Sequence, residues 1–294
     1  MKTKDQESIL QAGDITKKVR EYVKTIVKKD MSMLELAEKI EAKIIELKGN
    51  LAFPVNLSVN EVAAHHTPAW NDEEKTHGLL KVDFGVSING WTSDTAISFD
   101  LDNLEENKKL ITAAEEALKS ALKIVNKKAT LGEIGKAIQE TCEKHKVSPI
   151  VNLSGHSIDA YDLHSGLTVP NYNNQDKTEF ENGVFAIEPF TTFGVGKVHD
   201  SKPSEIYSLM EVKPLRDNTA REILDYIVEN YKTLPFASRW LVKKFGTRAL
   251  IALRQMKQAG IVHQYDELVE SSKNKVAQAE HTILITNKET IVVN

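Results

Sequence analysis

"KVDFGVSINGWTSDTA", residues 81–96, places Asp83 and Asp94 among Val, Phe, Ile and Ala on either side of Asn89-Gly90. Asn-Gly is a strong short-range signal for a two-residue type I′ turn, which makes the stretch a β-hairpin. With Ile88 opposite Trp91, Asp94 falls opposite Gly85. Asp83, two residues from Gly85, then shares a face with Asp94 as a diagonal neighbour, roughly 7–8 Å away between backbones. Aspartate is depleted in strands and rarely buried alone. Two carboxylates that reach a common point on an apolar ribbon must shift their protonation or be bridged by cations. For the hairpin taken by itself, a pair of solvated aspartates on an edge ribbon stands as the alternative.

Other groups of the same chemistry occur in apolar strand contexts: His156 in "NLSGHSI", Glu188 in "FAIEPF" and Glu280 in "AQAEHTILI". Four carboxylates and one imidazole make a set of hard oxygen ligands with one borderline nitrogen. Such a set suits a pair of divalent ions (Co, Mn, Fe or Zn) better than a single structural zinc.

The 294 residues, 41% hydrophobic, suffice for one large or two ordinary domains. The 38 basic and 42 acidic residues leave a net charge of −4 with no basic block, which argues against a stable nucleic-acid partner or a membrane-surface helix. Cys142 is the single cysteine, so neither a disulfide nor a cysteine-built zinc site is available. The first thirty residues mix both charges without a signal-peptide core, and no run approaches the roughly 20 apolar residues of a membrane span. The expectation is a cytoplasmic monomer.

Helical spacing of apolar residues predicts helices over 12–29 and 33–48, and a second pair over 113–126 and 130–145. "IVNKKATLGEIGKAIQ" from Ile124 matches "IVKKDMSMLELAEKIE" from Ile26 at an offset of 98 positions, which points to two related α/β halves. Strands follow in "SPIVNLSGHSI" and "GVFAIEPFTTFG". Between Pro214 and Gly260 the pattern is helical, with a capping box at Thr219-Ala-Arg-Glu222 opening a helix through Tyr231 and further helices over 236–245 and 247–257. "KVAQAEHTILIT" and "ETIVVN" form a closing hairpin about Asn287-Lys288.

The ordered series Asp83, Asp94, His156, Glu188 and Glu280, with "VNEVAAHHTP", "GHSIDAYDLHSG" and "YKTLPFASRWL", resembles type II methionine aminopeptidase of the short archaeal form over nearly the whole chain. That resemblance implies the α/β pita-bread fold: two pseudo-symmetric halves spanning 1–200 and 265–294, with a helical, winged-helix-like insertion at 201–264. It implies one metal held by Asp94, His156, Glu188 and Glu280 and another by Asp83, Asp94 and Glu280. His65 would stand near the leaving amide and His164 at the scissile carbonyl. Phe53, with Ile206 and Tyr265, would line the methionine pocket. His66 occupies a place where the family usually has tyrosine.

The implied activity is removal of the initiator methionine from nascent peptides with a small second residue, Glu188 acting as proton shuttle. A proline-type exopeptidase of the same fold is the alternative within the enzyme class; such relatives carry a large domain ahead of the catalytic half, whereas only 82 residues precede Asp83. A non-catalytic ribosome- or nucleic-acid-binding relative is the alternative outside it, disfavoured because all five ligands stand. Lys243, Lys244, Arg248, Arg254 and Lys257 read as a solvated face, with transient ribosome contact as the weaker reading. His77, His145, His199, His263 and His281 carry no chemical context.

Overall fold

The computed structural model describes residues 2–294. Its first two helices are α1 (Thr3–Ile26) and α2 (Met33–Glu46). α1 starts well before residue 12 because Ser8 and Ile9 carry its buried face through an otherwise polar turn, and it stops at Ile26 because Val27 is extended (φ −66°, ψ 122°). α2 ends at Glu46 rather than 48, where Lys48 takes a left-handed φ of 68°. The segment that follows contributes β1 (Asn50–Leu51), β2 (Asn56–Val59) and β3 (Val62–Ala64).

The hairpin comes next, as β4 (Leu79–Ile88) and β5 (Trp91–Asp100). Ile88 pairs with Trp91 and Gly85 with Asp94, the predicted register. Asn89 and Gly90 both have positive φ, 53° and 87°, as a type I′ turn requires. β4 also pairs with β1 and β2, and this sheet receives the apolar faces of α1 and α2: Val19, Val23, Leu36 and Ile40 bury against Val82, Phe84 and Val86. Each such side chain contributes about 1.5–3 kcal/mol on burial.

The second lobe repeats the plan with α3 (Glu105–Ile124) and α4 (Leu131–His145). α1 and α3 end, and α2 and α4 begin, at positions 98 apart. The connections match in detail. Val27 and Val125 are both extended, and Ser32 and Thr130 cap their helices by accepting the Glu35 and Glu133 backbone N–H groups. α3 begins at Glu105 rather than 113, since Asn107 and Leu110 extend its buried face. Strands β6 (Ser148–Pro149), β7 (Ser154–Ile158), β8 (Thr168–Pro170), β9 (Gly183–Ile187) and β10 (Phe190–Thr192) follow.

β11 (Val198–Leu209) then leads into α5 (Asn218–Asn230), β12 (Phe236–Ala237), α6 (Ser238–Phe245) and α7 (Arg248–Gln258), and β13 (Val262–Glu270) leads back, pairing with β11. The span 201–264 thus holds most of β11, the start of β13 and a separate helical core that includes Ile223, Leu224, Leu241 and Leu253. Two local expectations are corrected here. α5 is capped by Asp217, whose Oδ1 accepts the Ala220 N–H at 2.7 Å, not by Thr219. Phe236 and Ala237 pair with β11 instead of opening a helix.

β14 (Val276–Gln278), β15 (His281–Ile285) and β16 (Thr290–Val292) complete the chain, β15 and β16 forming the closing hairpin. The second lobe's sheets run β16-β15-β9-β7-β8 and β14-β10-β6. Leu110, Ala117, Ile134 and Ile138 pack there with Phe185, Ile187 and Ile283.

The helical block is fastened to the first lobe by one buried cation. Arg239 donates to Glu41, to Thr67 Oγ1 at 2.7 Å and to the Pro68 carbonyl at 3.1 Å, while the Trp240 indole N–H donates to the other Glu41 oxygen at 2.9 Å. Among the described residues, no helix is long and apolar enough to cross a membrane.

At the hairpin tip, a Cβ on Gly90 would meet the Tyr161 ring at 2.4 Å, on top of the strain of its φ. Gly90→Ala is expected to lose about 1–3 kcal/mol, read as a lower urea midpoint at unchanged slope. An unchanged midpoint would show that the turn tolerates a side chain.

Candidate metal centre

The two lobes meet at a cavity of about 370 Å³ whose wall includes Asp83, Asp94, His156, Glu188 and Glu280. Their positions follow from the strands. β4 supplies Asp83, β5 Asp94 and β7 His156; Glu188 directly follows β9, and Glu280 lies in the break between β14 and β15. Asp94, His156 and Glu280 each bring a ligand atom to within 4.8 Å of the other two. His156 Nε2 lies 3.8 Å from Asp94 Oδ2 and 3.6 Å from Glu188 Oε1. Asp83 joins through Gln278, whose amide donates to Asp83 Oδ2 at 3.4 Å and to Glu188 Oε2 at 3.3 Å.

Asp94, His156 and Glu280 are buried, while Asp83 and Glu188 keep some exposure to the cavity. Burial raises Asp83 to about 7 and lifts Asp94, Glu188 and Glu280 well above the usual carboxylate range, the neighbouring carboxylate charges adding to the effect on these three. Burial lowers His156 to about 3, leaving a neutral imidazole able to ligate. Without a counter-ion, four acids in this space cannot all be ionised.

The donor set fits divalent cations. Asp83 Oδ1, Asp94 Oδ1 and Glu280 Oε1 are buried with no hydrogen-bond partner among the described residues. An orphaned buried acceptor costs about 1–3 kcal/mol, more when charged, and coordination removes that cost. Positioning comes from the surrounding backbone. The Asp94 N–H donates to Thr282 Oγ1 at 2.7 Å, and the Thr282 hydroxyl returns a bond to the Asp94 carbonyl at 2.9 Å. Arg20 reaches the Ala96 and Glu280 carbonyls, each at 3.4 Å.

The remaining expected residues line the same cavity: His65, His164, Phe53, Ile206 and Tyr265. His164 is exposed at the opening, its ring centroid 4.2 Å from that of His156. His65 Nδ1 lies 3.2 Å from the Asp266 carbonyl oxygen, and its ring meets Tyr265 edge-on at 5.4 Å. Since a carbonyl only accepts, Nδ1 carries the proton; burial lowers the ring to about 4, so it is neutral at neutral pH and Nε2 is free to accept. Phe53 owes its place to Gly85, where a Cβ would come within 2.4 Å of the ring.

Gln278 is the residue that sequence reasoning missed. Its signal was available: it stands two positions before Glu280, and period-two alternation puts such residues on one face. His281, next in sequence after Glu280, instead bonds Asn294 at 2.8 Å.

Replacing Asp94 with Asn removes one of the crowded charges and one candidate ligand together. The variant is expected to melt higher than the parent in EDTA and to lose the rise in Tm that manganese gives the parent. A parent-like response to manganese would exclude Asp94 from the ion's coordination.

A model of metallopeptidase family M24 matches residues 7–287. Methionine aminopeptidase of Pyrococcus abyssi is 44% identical over 98% of this chain and 99% of its own length. The Methanocaldococcus jannaschii enzyme of the same name is 42% identical over 97% of each chain. Among solved structures, that of a thermophilic Arx1 superposes with a TM-score of 0.85 at 16% identity, covering 100% of this chain and 91% of that one. Methionine aminopeptidase from Thermotoga maritima gives 0.72 at 19% identity, covering 100% and 97%, and prolidase from Pyrococcus furiosus gives 0.62 at 16%, covering 99% and 64%. These structural likenesses bear on the fold alone, which is the α/β pita-bread architecture; the archaeal relatives cover 97–98% of the chain. The chain belongs to metallopeptidase family M24, among the archaeal-type, type II methionine aminopeptidases.

Proposed function

We propose that the chain removes the N-terminal methionine from nascent peptides whose second residue is small, using a pair of divalent ions in the cavity between its lobes. The observation that carries this reading is the convergence of four carboxylates and His156 on one cavity that also presents the apolar wall of Phe53 and Ile206. Asp94, His156, Glu188 and Glu280 would hold one ion and Asp83, Asp94 and Glu280 the other, Asp94 and Glu280 bridging. When bound, such ions lower the pKa of water toward neutrality and stabilise developing negative charge on a carbonyl oxygen.

The protein's own groups do the rest. Glu188, its carboxyl raised by burial beside Asp94 and Asp83, receives the proton of the attacking water and passes it to the departing amine. His164, at the opening beside His156, hydrogen-bonds the scissile carbonyl. His65 presents a bare Nε2 and so accepts the N–H at the cleaved bond. Phe53, Ile206 and Tyr265 receive the flexible, polarisable thioether. The span 201–264 is the inserted subdomain of the type II enzymes. Prolidase-like specificity is the less supported reading, because the relatives at 44% and 42% identity over nearly the whole chain are named methionine aminopeptidase, whereas the prolidase likeness stands at 16%.

On a Met-Ala-Ser peptide, Glu188→Gln is expected to lower kcat by about 10²–10⁴ and His164→Ala by about 10²–10³, with far-UV circular dichroism unchanged. Near-parental turnover in either variant removes the role assigned to that residue. Preferential cleavage of X-Pro peptides by the parent would overturn the substrate assignment.

A further inference from the structure

A second, smaller cluster lies outside the central cavity. His66 is 9% exposed, and its Nε2 is buried with no hydrogen-bond partner among the described residues. One ligand atom each from His66, Asp72 and Glu74 lies within 4.8 Å of the other two, with His66 Nε2 at 3.7 Å from Glu74 Oε2. The adjoining cavity, about 160 Å³, is lined by His66, Glu74, His77, Lys202 and Glu267 among others and shares no lining residue with the central one.

The orientation of the ring matters most. His66 Nδ1 sits 2.7 Å from Glu267 Oε1, and Glu267 is itself 4% exposed and paired with Lys202 Nζ at 3.3 Å. A carboxylate can only accept, so Nδ1 carries a proton, and Nε2, 3.7 Å from Glu74 Oε2, is the ring atom left for a ligand. This carboxylate-imidazole arrangement is the one that holds metal-binding histidines in their ligating tautomer. Asp72 is held as well, its two oxygens accepting the Glu74 and Ala69 backbone N–H groups at 2.7 and 3.4 Å.

We propose that His66, Asp72 and Glu74 form an additional divalent-cation site of zinc type, independent of the central cluster. One imidazole nitrogen and two carboxylate oxygens are a zinc-like donor set. The 3.7 Å between His66 Nε2 and Glu74 Oε2 is close to the separation of two donors that share an ion at about 2.0–2.2 Å from each, and it is too long for a direct hydrogen bond. His66 follows His65 directly and Glu267 follows Asp266, so the site adjoins the segment that presents His65 without sharing a lining residue with the central cavity.

The test is zinc stoichiometry of the full chain, parent against Asp72→Asn/Glu74→Gln, after equilibrium dialysis with zinc chloride. Neither substituted residue belongs to the central cluster, and both side chains reach solvent, so the variant should fold. The expected result is one zinc fewer per chain in the variant, whatever number the central cluster takes, and unchanged turnover on Met-Ala-Ser with manganese. Equal zinc content in the two proteins overturns the proposal and leaves His66 a side chain held by Glu267 alone.

Discussion

Repulsion among carboxylates confined to one cavity is the constraint around which the molecule is built. Asp83, Asp94, Glu188 and Glu280 come from separate strands or strand ends, and burial alone already drives their protons on. Folding the chain without cations means protonating acids or leaving acceptors unpaired. Divalent ions held by these groups would relieve both penalties at once. The neutral His156 completes that logic, because a protonated imidazole could not ligate.

The lobes are shaped to impose this crowding. Each carries a helix pair on the outside of its sheet, and the matched connections at Val27 and Val125 show that the two were built on one plan. The first lobe delivers its two aspartates on a two-stranded ribbon; the second delivers His156 from within β7, Glu188 from just after β9 and Glu280 from the break before β15. Thr282 ties the two sides together through paired bonds to the Asp94 backbone. Activity of the kind proposed therefore depends on docking of segments almost two hundred positions apart.

The hairpin, its register and the helix offset were readable because each rests on a local rule with little freedom: two positive-φ residues at Asn89-Gly90, a period of two along β4 and β5, and a cap residue at Ser32 and Thr130. The five acidic and imidazole groups were conspicuous since they occur where apolar residues belong. Other features depend on tertiary context. α1 extends to Thr3 on the strength of few buried side chains, and β2 and β3 form in a segment rich in Pro and Asn because β4 and β13 offer them partners. Asp217 won over Thr219 as the α5 cap through placement of the preceding loop, which no spacing rule encodes. The β11–β13 ribbon was hidden by Pro203 and by register shifts that break its alternation. Gln278 was overlooked because an amide between ligands carries no charge to draw attention.

Arg239 and Glu41 tie the helical block to the first lobe from inside the protein, and Arg239 also grips Thr67 and Pro68, just beyond His65 and His66. Losing either partner strands the other's charge out of water, at a cost of about 3–5 kcal/mol, while exchanging both for well-packed apolar residues can be neutral. Descent with change at this joint is therefore channelled through paired replacements, and sequences that drift at one position without the other should be rare among functioning descendants.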